Sequence, residues 1–447
     1  MTEVGTNQNI AKTKGYKFTG MASLSIVAFF AWALSVYDYI LFGDMLPVIG
    51  KYYGYSTATD TLLATYVSVG VLITALLVGP LADRVGRTKA MAITTGGVAL
   101  STFFIGFAGF LIASTAFIYI AVVRAFSGLG YSEQAVNATY LSEIYKQKNR
   151  GTIYSLVQGG WPIGVLLASV FIVVLLPYMP WYYLFWFATI PALIIALLAV
   201  FYMPESARFL HMKRVKELMK QGKKDEATKL LQEYNVDLNE VKKMTYKQLF
   251  DHKSIKHTTF LSIAFLTNWI GIEVFLVLIT TVLTVSKGIS FTEAVTWLIL
   301  SNALTYFGYI LFGLLGDKYG RRNVIVIGWV LAGIFAIITM LIPGIVPTMI
   351  MYTLTLIFLI GPYSALLAYM GESYPTRERA TGTSFVNAMG PVGGIVGAAL
   401  LTAFLSIGIS MSDSAIYAGA IFILVSGVLM LGTRNVKPGQ ILEDIEI

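Results

Sequence analysis

The sequence predicts an all-α membrane protein with twelve transmembrane helices in two pseudo-symmetric six-helix bundles. Of its 447 residues, 56% are hydrophobic and 13% are charged, and the mean hydropathy of +0.72 excludes an ordinary soluble domain. The apolar residues form blocks of about 20, long enough as helices to cross a hydrocarbon core of about 30 Å. The predicted spans are 24–50, 60–82, 90–109, 115–142, 152–176, 181–203, 258–286, 292–316, 323–342, 348–371, 381–405 and 414–433.

The basic residues predict the orientation of these spans. If both termini are cytoplasmic, nearly all of the 32 lysines and arginines fall in cytoplasmic segments, with Lys51 and Lys287 outside and Arg124 within a helix. The positive-inside rule therefore favours a multi-pass protein of the cell membrane with both termini in the cytoplasm. The net charge of +8 sets this topology, so we expect no nucleic-acid partner.

Cysteine and histidine usage excludes several kinds of site. The chain has no cysteine, which excludes disulfides and thiol chemistry. Its three histidines, His211, His252 and His257, lie in the central polar stretch at spacings that fit no zinc motif, so they are expected to be solvated loop residues. We expect no metal and no cofactor. The polar residues 1–20 make the first apolar block a retained span rather than a signal peptide.

The longest polar stretch divides the chain in two. The predicted organisation is a cytoplasmic tail (1–20), a six-helix bundle (21–203), a helical linker (204–257), a second six-helix bundle (258–433) and a C-terminal tail (434–447). The Lys/Glu-rich pattern of the linker indicates a helix that either tethers the bundles or acts as a cytoplasmic latch.

The two halves repeat one another. Gly79-Pro-Leu-Ala-Asp-Arg-Val-Gly-Arg87 recurs as Gly313-Leu-Leu-Gly-Asp-Lys-Tyr-Gly-Arg321. At one further common spacing, Glu143, Arg150, Gln158 and Pro162 recur as Glu372, Arg379, Asn387 and Pro391. Parallel repeats predict a pseudo-two-fold axis along the membrane normal, with a substrate site between the halves near the midplane.

These paired loops resemble the signature of the major facilitator superfamily. Three further segments are similar to the sugar-porter branch and related metabolite:proton symporters. They are RAFSGLGYSEQAVNATYLSEIYKQKNRG, PESARFL and YMGESYPTRERATG. Sugar porters usually carry paired glutamines in helix 7 and Pro-Trp in helix 10, where this sequence reads FLTNWIGIEVFL and GPYSALLAYM. The first span, by contrast, resembles organic-acid symporters in the segment VYDYILFGDMLP.

Charges inside predicted spans are candidate functional groups because each is costly in a bilayer. The resemblance places Asp38 of span 1 opposite Arg124 of span 4 as a proton-coupling pair; the alternative is a static buried pair. Glu273 in span 7 is a candidate substrate or second proton site, or else a neutral packing acid. Glu133, which resembles the glutamate of metabolite symporters, is a possible additional acid.

Polar residues near the midplane are the candidate substrate ligands. Gln158 and Asn387 each precede a Pro-Gly break that permits close packing and bending. Asn268, Trp269, Asn302 and Tyr363 are weaker candidates, because aromatic residues in spans often serve packing or interface anchoring. Amides and aromatic rings suit a sugar.

Charges at the cytoplasmic ends predict a gate, with topology-setting charge alone as the alternative. We expect these charges to pair when the inside is closed and to separate when it opens. The predicted gate residues are Asp83, Arg84, Arg87, Glu143, Arg150, Asp317, Arg321, Glu372 and Arg379.

The sequence shows no enzyme signature, since it has no phosphate-binding P-loop and no dinucleotide fingerprint. It predicts a monomeric secondary transporter that moves a small polar metabolite, preferably a sugar, with a proton by alternating access. A neutral solute is preferred because Arg124 is the sole intramembrane cation and is committed to Asp38. The alternatives are an organic-acid/proton symporter, an uncoupled sugar facilitator, a nutrient sensor and a drug exporter.

Overall fold

In the part of the chain that the computed structural model describes, twelve helices are long and apolar enough to cross a membrane, which confirms the predicted fold class. The structure describes residues 21–144, 156–223, 226, 251, 254–374 and 379–436. Within those ranges all regular elements are helical. Spans 1 to 12 are Ser23–Tyr53, Thr57–Ala82, Arg87–Phe110, Ala113–Leu141, Leu156–Leu175, Trp181–Tyr202, Ile255–Val277, Phe291–Tyr319, Arg321–Leu341, Ile345–Met370, Gly382–Ser406 and Met411–Gly432.

Several spans are interrupted, and the interruptions position the candidate site. Irregular backbone at membrane depth is tolerated where protein satisfies its polar groups. Span 4 lies in two helices, Ala113–Ala125 and Gly128–Ile144, and span 10 lies in Ile345–Ile360 and Tyr363–Glu372, so the second helix of each extends beyond the span. Span 7 runs as Ile255–Ile272, a wider turn over Glu273–Val277 and a continuation over Ile279–Lys287, and span 11 as Arg379–Asn387 and Met389–Ser406.

The described start of the linker contains one helix. Ser206 accepts a hydrogen bond from the Phe209 amide and so caps a helix over Ala207–Lys220. Most of the remaining predicted linker lies outside the described residues.

The two halves touch at one end of the bundle, and a cavity lies between them towards the other. We call the end with Arg87 and Arg321 the basic end. At the opposite end, Thr402 of span 11 donates to Thr61 of span 2 at 2.8 Å. Gly43 of span 1 lies directly against the Val277 carbonyl of span 7. Between spans 2, 4 and 11, a cavity of about 420 Å³ lies towards the basic end, and we call it the vestibule.

Glycines allow close helix packing within each half, as the Pro-Gly breaks predict. A Cβ at Gly164 of span 5 would overlap the Ala33 carbonyl and lie 2.8 Å from Val36 Cβ in span 1. A Cβ at Gly393 of span 11 would lie 2.7 Å from Trp269 Cβ in span 7. The same packing device therefore serves spans 1 and 5 in one half and spans 7 and 11 in the other.

Gly164→Ala is expected to destabilise the protein by about 1–3 kcal/mol, the usual effect of overpacking a tight interface. Thermal unfolding in detergent, followed by tryptophan fluorescence, measures the change. Gly79→Ala is the matched control, since a Cβ at this helical position meets nothing within 4 Å. An unchanged melting temperature in Gly164→Ala would contradict the packing role.

The expectation of solvated histidines is wrong for His257. The helix of span 7 begins at Ile255, earlier than predicted, so the His257 ring is buried at 2% exposure. Its Nδ1 accepts a hydrogen bond from the Arg434 amide at 3.2 Å, and its Nε2 lies 3.0 Å from Ser373 Oγ. His257 therefore ties spans 7, 10 and 12 together at the basic end.

Candidate functional site

A small pocket lies between the halves, as the repeat predicts. We call it the central pocket. Its volume of about 20 Å³ accommodates little more than one water, so a larger ligand requires its walls to move. The N-terminal half contributes Gln134, Gln158 and Trp161, and the C-terminal half contributes Phe265, Trp269, Ile272, Tyr309, Ile360, Tyr363, Leu367 and Asn387.

Four of the predicted ligands, Gln158, Trp269, Tyr363 and Asn387, line the central pocket. Asn268 lies behind it, where its Oδ1 accepts a 2.8 Å hydrogen bond from the Tyr363 hydroxyl and thereby fixes that ring. The amide of Asn302 donates instead to the Leu298 carbonyl of its own helix. Asn302 is not among the lining residues.

Sequence reasoning missed several pocket residues, above all Trp161 and Gln134. The Trp161 and Trp269 rings meet edge to face at 5.9 Å across the two halves. Gln134 Nε2 donates to Gln158 Oε1 at 2.9 Å. Both residues adjoin positions that the sequence singled out, Trp161 within the span 5 break and Gln134 beside Glu133. That adjacency was the available signal.

The buried polar atoms of the lining residues that lack a partner are all hydrogen-bond donors. They are the indole nitrogens of Trp161 and Trp269 and Nε2 of Gln158. A buried donor without a partner costs about 1–3 kcal/mol. The pocket is therefore suited to a ligand that brings acceptors and has flat apolar faces for the surrounding rings.

The Pro-Gly breaks place two backbone carbonyls at this site. A helical carbonyl normally accepts from the amide four residues later, but for Gln158 and Asn387 those residues are Pro162 and Pro391, which have no N–H. Trp32 Nε1 lies 3.4 Å from the Gln158 carbonyl, and the Tyr131 hydroxyl lies 3.1 Å from the Asn387 carbonyl. The repeated prolines thus leave an acceptor in each half.

Asp38 and Arg124 are in contact, through the backbone of span 1. Arg124 Nη2 donates to the carbonyls of Asp38 and Tyr39, both at 3.1 Å, and Nη1 donates to Thr102 Oγ1 at 3.2 Å. Both residues are at most 1% exposed, and neither carboxylate oxygen of Asp38 has a hydrogen-bond partner. The guanidinium therefore holds the helix beside Asp38, and both its charge and the Thr102 side chain also act on the carboxylate.

Two further buried acids flank the pocket without lining it. Ser68 of span 2 donates to Glu273 Oε1 across the halves at 3.5 Å, and Oε2 has no partner. Glu273 opens the wide turn of span 7, a kind of irregularity frequent at functional sites. Glu133 accepts a 3.2 Å hydrogen bond from Asn137 of its own helix, and Asn137 also donates to the Ala28 carbonyl of span 1.

The basic end carries matching ion pairs in the two halves. Arg87 pairs with Glu143 at 3.2 Å, and its repeat partner Arg321 pairs with Glu372 at 3.0 Å. Arg321 also pairs with Asp317 at 2.9 Å. Among the residues described at this end, these pairs stay within their own half. Arg150 and the side chains of Asp83 and Arg379 lie outside the description, and Arg84 is exposed.

Glu205, which sequence reasoning did not select, caps span 3. Its carboxylate accepts from the amides of Arg87 and Thr88 at 2.8 and 3.4 Å, at a helix end that favours negative charge. The neighbouring Ser206 donates to Glu143. The PESAR segment thus fastens the exit of span 6 to the first arginine motif.

Known transporters are similar to this chain in sequence and in structure. The cis,cis-muconate transport protein of Acinetobacter baylyi is 26% identical over 93% of this chain and 95% of its own length. The 4-hydroxybenzoate transporter PcaK of the same organism is 26% identical over 84% of this chain and 83% of its own length. An inward-open xylose transporter from E. coli superposes with a TM-score of 0.71 at 18% identity, covering 95% of this chain and 99% of that one.

A family model described as Major Facilitator Superfamily matches residues 24–361 and, in a second match, residues 261–444. Together the two matches cover nearly the whole chain, and the twelve spans and paired arginine motifs agree with them. The protein therefore belongs to the Major Facilitator Superfamily and is a multi-pass membrane transporter of small molecules.

Proposed function

We propose that the protein imports an organic acid with a planar, unsaturated or aromatic skeleton together with a proton. The central pocket carries this proposal, because its unpartnered buried atoms are the donors of Trp161, Trp269 and Gln158. A carboxylate supplies acceptors only, whereas sugar hydroxyls also need acceptors from the protein. A planar acid can pack against the aromatic rings of the lining, which are those of Trp161, Phe265, Trp269, Tyr309 and Tyr363.

The names of the relatives support an acid over the sugar that the sequence favoured. That preference depended on Arg124 as the only cation available to an anion. Here Arg124 is engaged with the backbone of span 1, and the indole and amide donors are the groups that an acid would meet in the pocket. An organic acid therefore does not need Arg124 as a ligand, and the reason for preferring a neutral solute no longer applies.

The same pocket gives a reason for proton coupling. Among the residues that the structure describes, its lining contains no lysine or arginine, so the charge of a bound carboxylate is not neutralised there. Trp269 and Glu273 are four residues apart, on one face of span 7. A proton taken up at Asp38 or Glu273 would offset the substrate's charge. We place both termini in the cytoplasm, so that the vestibule opens inward, in keeping with the predicted charge asymmetry.

Internal acidification of proteoliposomes tests the proposal. With a pH-sensitive dye inside, external cis,cis-muconate or 4-hydroxybenzoate is expected to acidify the lumen, and D-xylose is expected to have no effect. Protein-free liposomes measure the passive entry of each acid and are subtracted. Acidification by D-xylose alone would return the assignment to a sugar symporter. Uptake of labelled acid without a pH change would leave an uncoupled carrier.

Trp161→Phe sharpens this test, because it keeps an aromatic ring and removes the N–H donor. A hydrogen bond to a charged group is worth about 1.5–3 kcal/mol, so the apparent KM for the acid is expected to rise about tenfold or more. Trp186→Phe is the matched control, since its indole nitrogen also lacks a partner but lies against Phe107 and Phe110. An unchanged KM in Trp161→Phe would exclude the indole as a ligand.

A further inference from the structure

The central pocket and the vestibule share one lining residue, and a tyrosine of the opposite half lies beside it. Asn387 of span 11 lines both cavities. Tyr131 of span 4 lines the vestibule, and its ring meets the pocket residue Trp269 edge to face at 5.2 Å. Tyr131 is 5% exposed although it borders a cavity of about 420 Å³. Its ring therefore lies between the vestibule and the pocket residue Trp269.

The Tyr131 hydroxyl links the two halves through a carbonyl that its own helix does not use. Pro391 supplies no amide hydrogen for the Asn387 carbonyl, and the hydroxyl donates to it at 3.1 Å. In the other half, the equivalent Gln158 carbonyl is taken by Trp32 of the same bundle. The bond to the Gln158 carbonyl thus stays within one half, whereas the bond to the Asn387 carbonyl joins the two halves and must break when they separate.

Gly390 provides the room for this arrangement. A Cβ at Gly390 would overlap the Tyr131 hydroxyl and lie 3.2 Å from the rings of Phe265 and Trp269. The missing side chain therefore admits the tyrosine ring against span 11. Pro391 frees the acceptor and Gly390 clears the approach, within two adjacent residues of the span 11 break.

We propose that Tyr131 is an inner gate, held shut by its hydrogen bond to the Asn387 carbonyl, that separates the central pocket from the vestibule. When the gate is closed, its ring blocks the path beside Trp269. When the bond breaks, the ring swings away and the pocket becomes continuous with the vestibule. Tyr131 is thus a positioning residue for release at the basic end, and the proposal does not depend on the chemical class of the substrate.

The absence of cysteine allows a direct test in the full-length protein. Leu367→Cys places a single thiol in the central pocket. Its rate of modification by a charged methanethiosulfonate is measured in nanodiscs, with and without Tyr131→Phe. The phenylalanine keeps the ring and removes the hydroxyl. Since a neutral hydrogen bond has a modest net effect, modification is expected to accelerate about three- to tenfold.

Two controls separate a gate from general loosening. Ala135→Cys reports on the vestibule, where the side chain is already exposed, and Tyr131→Phe should leave its modification rate unchanged. Tyr140→Phe removes another hydroxyl of span 4, one that bonds the Pro204 carbonyl within the same half, and should not affect Leu367→Cys. Equal rates at Leu367→Cys with and without the Tyr131 hydroxyl would overturn the proposal, as would acceleration at both cysteine positions.

Discussion

Asp38→Asn is expected to abolish accumulation of substrate against its gradient while exchange of substrate across the membrane continues. Asparagine keeps the size of the side chain and cannot take up or release a proton. The carboxylate is buried, its oxygens have no hydrogen-bond partner, and the Arg124 guanidinium binds the adjacent backbone. A proton taken up at this position therefore removes the charge that faces Arg124 and Thr102.

The size of the effect follows from the driving force. One pH unit corresponds to 1.36 kcal/mol, so a one-to-one symporter accumulates its substrate about tenfold across such a gradient. Asp38→Asn should show no accumulation. Labelled uptake into proteoliposomes with an imposed pH gradient measures accumulation, and counterflow measures exchange.

Asp44→Asn is the matched control for this experiment. Asp44 lies on the same helix and is also buried, and neither of its carboxylate oxygens has a hydrogen-bond partner. Arg124 bonds the backbone at Asp38 and Tyr39 and not at Asp44. We expect this variant to accumulate substrate. Retained accumulation in Asp38→Asn would refute the coupling role, and loss in both variants would assign the defect to span 1 as a whole.

The fold was predictable because the membrane restricts the choice of structure. In hydrocarbon, the backbone N–H and C=O groups must find hydrogen-bond partners within the chain, so an apolar block long enough to span the membrane almost always forms a helix. Even Pro47, Pro80 and Pro191 lie inside spans without ending them. The start of span 7 was misplaced because His257 and its polar neighbours belong to a buried helix end, which hydropathy does not distinguish from a loop.

The site was predictable where the repeat marked it and otherwise not. Gln158 and Asn387 were found because a proline follows each at the same spacing, and the structure shows that these prolines release the two carbonyls. Asn302 was selected for its polarity alone, and it bonds its own helix instead. Tyr131 and Trp161 were missed because apolar spans do not reveal which face a ring occupies.

Arg124→Lys is expected to reduce transport by at least about a hundredfold, although it keeps the positive charge. The guanidinium bonds two successive carbonyls of span 1 and Thr102 at once, a planar fork that an ammonium group does not reproduce. Losing two charge-assisted bonds of about 1.5–3 kcal/mol each corresponds to more than two factors of ten. Initial uptake rates per amount of inserted protein measure the loss.

Arg322→Lys distinguishes this role from a general need for arginine. Arg322 also bonds a backbone carbonyl, that of Thr433 at 3.1 Å, but at the basic end of the other half. We expect its lysine variant to transport normally. If Arg124→Lys instead transports at the normal rate, charge alone is sufficient beside Asp38. If Arg124→Lys loses transport and keeps the normal melting temperature, the fold does not need the guanidinium but the transport movement does. The geometry of the guanidinium then couples the proton site to span 4.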